Sequence, residues 1–272
     1  MLDRFRKSRA SRTVEPARFD MGPVRAANAH DANHPAWLAL AALIVIGLPY
    51  LPFGQYALYP FFILTTWFHE MGHSLTAILM GMHFDRLVIM SNGSGYALIA
   101  SDPDSWNITQ AAVSAGGPLG PAIAGALMIL ASAHAKWRIF ALYALGGILL
   151  ASTAIWVRSI VGWAVLIPTA AVIIAIAARA NDEIARFALQ FLGVHAAISM
   201  FGQWGYLFSS GAVVDGAHQT SDTGAMARAL LLPYWFWASL LIAIGAGIVG
   251  VSLWHVLVRN ERRRATPRKT RL

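Results

Sequence analysis

The sequence predicts an all-α polytopic membrane protein, with about six to seven transmembrane helices and a small β-hairpin after the second of them. Hydrophobic residues make up 57% of the 272 and charged residues only 12%, about half the charged share of a soluble domain. Mean hydropathy is +0.55. The apolar residues also fall in runs of about 20, enough to cross a hydrocarbon core of ~30 Å. Cysteine is absent, which excludes a disulfide framework and a thiolate metal site. Any transition-metal centre must then use His, Asp or Glu.

The net charge of +8 would fit a nucleic-acid binder only if the charges shared a face. Of the 21 Lys and Arg, seven precede residue 26 and seven follow residue 258. Such terminal clusters are juxtamembrane anchors for an anionic leaflet, so the expected partner is the lipid bilayer and not nucleic acid. Residues 1–34 are polar and Arg-rich, broken by Pro16 and Pro23, and read as a disordered basic cytosolic tail. No apolar run precedes Ala36, so this stretch does not have the pattern of a secretory signal peptide. Residues 35–258 form the membrane-embedded domain, and 259–272 a basic C-terminal tail.

The first apolar run, from Ala36 to about Pro52, ends at Pro49-Tyr50-Leu51-Pro52-Phe53-Gly54, a turn that returns the chain into a second run ending near Met80. If the basic N-terminus is cytoplasmic, this second helix runs outside to inside. Residues 83–104 differ: Leu87-Val88-Ile89-Met90 and Tyr96-Ala97-Leu98-Ile99-Ala100 flank a Gly/Asn turn and read as a hairpin. An open strand edge is not tolerated against lipid, so the hairpin lies at the interface or faces a protein cavity. Such an edge suits strand addition by an extended substrate segment, with Asn92, Gly93 and Gly95 as candidate substrate-binding residues. The run from Ile108 to about His134 is interrupted by Gly116-Gly117-Pro118-Leu119-Gly120-Pro121, where small residues permit close helix approach and the prolines free backbone groups. Runs at 137–156 and 160–178 are split by Arg158. The charged stretch 179–186 reads as a loop before a run at 187–208. After the more polar residues 209–227, a last run covers about 230–258 and opens on Tyr234-Trp235-Phe236-Trp237, an aromatic cluster suited to an interface. That makes seven runs, whereas two basic termini on one side require an even number. The pair around Arg158 is the first suspect for a segment that fails to span.

The chemistry concentrates in Trp67-Phe68-His69-Glu70-Met71-Gly72-His73-Ser74. On a helix, His69 and His73 stack on one face and can hold one Zn²⁺ between them, while Glu70 sits close enough to act on a water without being a ligand. Ionisable groups in hydrocarbon are expensive to leave unpaired, which marks them as functional. Hydrolytic zinc sites usually take a third protein ligand. Asp215, His218, Asp222, His83 and His195 are candidates, with Asp222 equally readable as a helix N-cap.

Phe68-His69-Glu70-Met71-Gly72-His73 on an apolar helix, the Gly-containing hairpin and the Gly-Gly-Pro-Leu-Gly-Pro helix together resemble the site-2 protease group of intramembrane zinc metalloproteases. The compact branch without a PDZ domain, bacterial and fungal, is the most similar. That branch has a late Ser-Asp-Ala motif followed by Pro and Trp; here Ser221-Asp222-Thr223 precedes Pro233 and Trp235. Thr223 departs from the Ala, and the Asn-x-x-Pro…Leu-Asp-Gly signature of other site-2 proteases is absent, with Asp215-Gly216 its only echo. The resemblance covers about residues 36–258. It implies a zinc endopeptidase acting on membrane-protein substrates, with Glu70 as catalytic base and His69, His73 and Asp222 (alternatively Asp215) as ligands. It also implies a multi-pass protein of a bacterial plasma membrane. The other classes compatible with the residues are a non-catalytic metal-binding or regulatory membrane protein and an ion-coupled transporter.

Overall fold

The computed structural model describes residues 34–100, 107–214 and 217–265. Residues 1–33 of the predicted N-terminal tail, Asp215 and the last seven residues of the predicted C-terminal tail lie outside these ranges.

Helix α1 (His34–Gly47) runs into a 3₁₀ turn (Leu48–Tyr50) and meets α2 (Gly54–Leu79) at a bend of 119°. A hairpin follows, β1 (His83–Ile89) and β2 (Gly95–Ala100), paired antiparallel. Helices α3 (Asn107–Ser132), α4 (Ala135–Trp156), α5 (Ile160–Arg179) and α6 (Asp182–Gly202) come next. The one-turn helix α7 (Trp204–Leu207) leads to a second hairpin, β3 (Gly211–Val214) with β4 (Ala217–Thr220). The chain closes with the short α8 (Asp222–Leu230) and the long α9 (Tyr234–Ala265).

The fold class is as expected, all-α and polytopic with a small hairpin after the second helix. Helices α3, α4, α5, α6 and the 234–258 part of α9 are long and apolar enough to cross a membrane, and α1 with α2 makes a sixth candidate if the bent pair is one span. Two expectations are corrected here. The helices flanking Arg158 both reach spanning length, so the shortfall from seven lies at the N-terminal end. There α1 has 14 residues, which rise only ~21 Å, against ~30 Å of hydrocarbon. Residues 179–186 are also not a loop throughout: α6 begins at Asp182, where the Asn181 side chain accepts from Ile184 N–H and caps the helix. The buried Arg138 guanidinium reaches across to the Asp182 carboxylate, and Arg186 lies 3.6 Å from it one turn on. Opposite charges are paired in this cluster, with one carboxylate between two guanidiniums, which is how a helix can carry them into an apolar surrounding. At the far end, α9 continues to Ala265, through the first seven residues of the predicted tail.

Helix α3 is central, packed against α2, α6, α8 and α9. Ile63, Leu64, Trp67 and Phe68 of α2 join Leu142 and Leu149 of α4, Leu166 of α5 and Leu189 of α6 in the largest core cluster. Trp67 donates its indole N–H to Ser152 Oγ at 3.1 Å inside that cluster, tying α2 to α4. The outward faces are apolar too: Leu43, Leu127, Ile148, Val172, Val251 and Trp254 are exposed. So large an unpartnered apolar surface belongs against acyl chains.

The hairpin is tied down on three sides. Its turn is closed by Asn92 Oδ1, which accepts from Ser94 N–H at 3.0 Å, with Gly93 in the left-handed region at φ +86°. Tyr59 of α2 donates its hydroxyl to Ser91 C=O at 2.9 Å, and Thr66 donates to Gly93 C=O. On the far flank of β1, Arg158 N–H donates to Leu87 C=O at 2.9 Å and Ile89 N–H donates to Ser159 Oγ at 3.0 Å. In an antiparallel pair, residues alternate between facing the partner and facing away. Since Leu87 and Ile89 face Val157–Ser159, their partners Ala97 and Gly95 turn their backbone groups to the opposite, outer edge of β2.

Candidate metal centre

His69 and His73 lie on one face of α2 as their spacing requires, with ring centroids 4.8 Å apart. The third group comes from far along the chain: Asp222, the first residue of α8. Its Oδ2 lies 3.1 Å from His69 Nε2, its Oδ1 lies 3.2 Å from His73 Nε2, and the two Nε2 atoms are 3.1 Å apart. Four ligands held tetrahedrally at about 2.0 Å from a zinc ion lie about 3.3 Å from one another. The observed triangle therefore fits three corners of that tetrahedron. Apart from the His69 ring nitrogen, Asp222 Oδ2 is buried without a polar partner, a state a carboxylate avoids unless a cation completes it. Two imidazoles and a carboxylate also suit zinc chemically, and no other group of His, Asp and Glu among the described residues can hold an ion.

Each ligand is positioned by its surroundings. His73 Nδ1 lies 2.7 Å from Val113 C=O, so Nδ1 carries the proton and Nε2 presents its lone pair to the centre. The ring lies on α3 where Gly117 has no side chain: a Cβ there would fall 2.1 Å from His73 Nε2. The helices come that close because Gly72 faces Gly116, where a Cβ would meet the Gly116 carbonyl oxygen at 2.1 Å. The Gly-Gly-Pro segment of α3 thus shapes the site itself, beyond the tight packing expected of it. His69 Nε2 faces the triangle, while its Nδ1 is buried without a partner.

Asp222 is not the N-cap. Ser221 is, accepting from Gly224 N–H at 3.0 Å while donating its own hydroxyl to Ser209 C=O. Thr223 donates to Leu207 C=O at 2.6 Å. Hydroxyls on both sides of Asp222 thus stitch it to the 207–209 turn, and Thr223, the departure from Ala, uses its hydroxyl in that stitch.

Glu70 is 6% exposed and points from α2 toward β2. Ala97 N–H, on the outer edge of β2, is directed to its carboxylate. A Cβ at Gly95 would lie 3.2 Å from Glu70 Cγ and 2.9 Å from Thr66 Cγ2, so glycine allows β2 to lie against α2 here. Of the other sequence candidates, His195 is buried among the rings of Phe61, Phe62 and Phe191. His83 opens β1 opposite Ala100, and His218 pairs with Val213 on the second hairpin. Asn92 and Gly93 form the hairpin turn, and of the three hairpin candidates Gly95 packs directly on Glu70.

An apolar multi-helix body and this cluster together define a metallopeptidase embedded in the membrane. The profile of the Peptidase M50B-like family matches residues 37–252. The chain belongs to that family, the site-2 protease group. No curated protein and no solved structure matches it.

Proposed function

We propose that the protein is an intramembrane zinc metalloendopeptidase that hydrolyses peptide bonds in or near transmembrane segments of other membrane proteins. The observation that carries this reading is the triangle of His69, His73 and Asp222 with Glu70 beside it, within a helical body whose outer surface is apolar. His69 and His73 would hold the ion through Nε2 and Asp222 through its carboxylate. When bound, zinc supplies Lewis acidity that brings the pKa of water down to ~7 and polarises a peptide carbonyl. Glu70 accepts a proton from the attacking water and delivers it to the amine nitrogen as the peptide bond breaks. Burial of Glu70 keeps bulk water from competing for that proton.

A substrate helix has its carbonyls bonded within itself and must unwind before it is cut. The outer edge of β2 lies next to Glu70 and offers the backbone groups of Gly95 and the carbonyl of Ala97, so an unwound segment adds there as a strand. Asn92 and Gly93 contribute by holding the turn that presents this edge. The basic termini and the likeness to the compact bacterial branch support residence in a bacterial plasma membrane.

The test is purified protein in liposomes with synthetic single-span peptides. Glu70→Gln is expected to abolish cleavage and retain wild-type zinc content. Full activity in that variant would rule the mechanism out. Bound zinc without turnover of any membrane peptide by the wild type would favour a non-catalytic metal-binding role.

A further inference from the structure

We infer that the metal centre lies in the non-cytoplasmic half of the bilayer, and that the protease cuts membrane segments near their non-cytoplasmic ends. The orientation stands on packing and charge; the substrate clause rests on the peptidase reading above.

The centre sits toward one end of the helical body. His69 and His73 fall in the second half of α2, and Gly116 and Gly117, which lie against Gly72 and His73, fall in the first half of α3. The first hairpin follows α2 at this end and is bound to Val157–Ser159, between α4 and α5. Helix α6 runs the same way as α2: its Gly193 packs on Gly125, and further along Met200 and Ala122 both meet Gly245 of α9. From there the chain passes through α7 to Asp222 and on to the start of α9. The opposite end of the body holds the turn between α3 and α4, the turn between α5 and α6, and the last part of α9. There Arg138 pairs with Asp182, and Leu38, Ile129 and Val256 share a core cluster. Trp37, at the start of α1, lies against Phe187 near the start of α6, so α1 begins in this half too.

Basic residues divide these two ends unequally. Among residues 34–272 the site end carries only Arg86, Arg158 and Arg228. The opposite end carries Lys136, Arg138, Arg179 and Arg186, and seven more follow residue 258 along and after α9. A further seven precede residue 26, upstream of α1. Lys and Arg near the ends of spans are retained in the cytoplasm. The basic end is therefore cytoplasmic and the metal end is not. The sequence suggests the reverse, because a complete span at α1 would make α2 run outside to inside. With α1 too short to cross and the bent pair counted as one passage, the body makes six crossings and α2 runs from inside to outside. Water and zinc then reach the centre from outside the cytoplasm, and the β2 edge receives the non-cytoplasmic part of an unwound segment.

Cysteine is absent from the chain, so single cysteines report their side without background. Ser91→Cys marks the first hairpin and Ala135→Cys the turn between α3 and α4, both at exposed positions. Bacterial spheroplasts holding each full-length variant would be treated with a membrane-impermeant maleimide before and after lysis. Ser91→Cys is expected to be labelled in intact spheroplasts, and Ala135→Cys only after lysis. The reverse pattern, equal labelling of both before lysis, or protection of Ser91→Cys overturns the orientation. As a readout that needs no thiol, green fluorescent protein fused after Leu272 is expected to fluoresce, which it does when it folds in the cytoplasm; a dark fusion beside an active alkaline phosphatase at the same point also overturns it. For the substrate clause, two single-span test proteins would carry a helix-breaking Gly-Pro stretch in one half of the membrane or the other. Only the one with the stretch in the non-cytoplasmic half is expected to be cut. Cleavage of the other, alone or equally, overturns that clause. If neither is cut while the labelling is as expected, the peptidase reading fails and the orientation stands.

Discussion

His73 shows how much of the site is set by what is missing from its neighbours. Its ring occupies the space that any side chain at position 117 would fill. Gly117→Ala should ordinarily stabilise a helix by about 1 kcal/mol. Here it is expected to weaken zinc binding about 10- to 100-fold, the range seen when groups around a ligand are altered. Chelator competition would measure the affinity and circular dichroism would check that the fold is kept. The pair His69 and His73 was legible in the sequence because one helical turn is a local property, and so was Glu70. Asp222 was legible only as one of several candidates, since no local rule says which distant carboxylate the fold returns to α2.

Among the elements, the hairpin β1–β2 was readable from its Gly/Asn turn between apolar runs. What could not be read was which edge would remain free, because that depends on Val157–Ser159 pairing with β1 from another part of the chain. The start of α6 was misjudged for a related reason: Asp182 and Arg186 look like loop residues until Arg138 arrives from α4 to pair with them. The second hairpin, with strands of four residues each, is too short for an alternating pattern to stand out. Ala97→Pro removes the outward N–H of β2, the one directed to Glu70, and so disturbs both the strand edge and the seat of the base. It is expected to reduce cleavage at least about tenfold while zinc content stays at the wild-type level. Equal cleavage by this variant would remove the strand-addition step from the reading.

For the whole molecule, the His69–His73–Asp222 triangle joins the N-terminal α2 to the C-terminal α8. An ion held there cross-links two ends of the chain, and anything that binds only the folded state stabilises it by mass action, by about 2.7 kcal/mol at a hundred times Kd. Stripping zinc with a chelator is expected to lower Tm in detergent, and zinc added back should restore it. In Asp222→Ala the same treatment should leave Tm nearly unmoved. The composition made the membrane class plain, since a chain so poor in charge cannot cover itself with a polar surface. The number of crossings was less plain, because the bend between α1 and α2 depends on how two helices meet and not on how apolar each is.

The attachment of β1 to Val157–Ser159 has a kinetic implication. With that flank occupied, the sheet can receive only one additional strand, on the β2 side. On the strand-addition reading proposed above, a cut fragment still lying there would exclude the next polypeptide, and repeated turnover would depend on how quickly products are cleared as well as on how quickly the bond is broken.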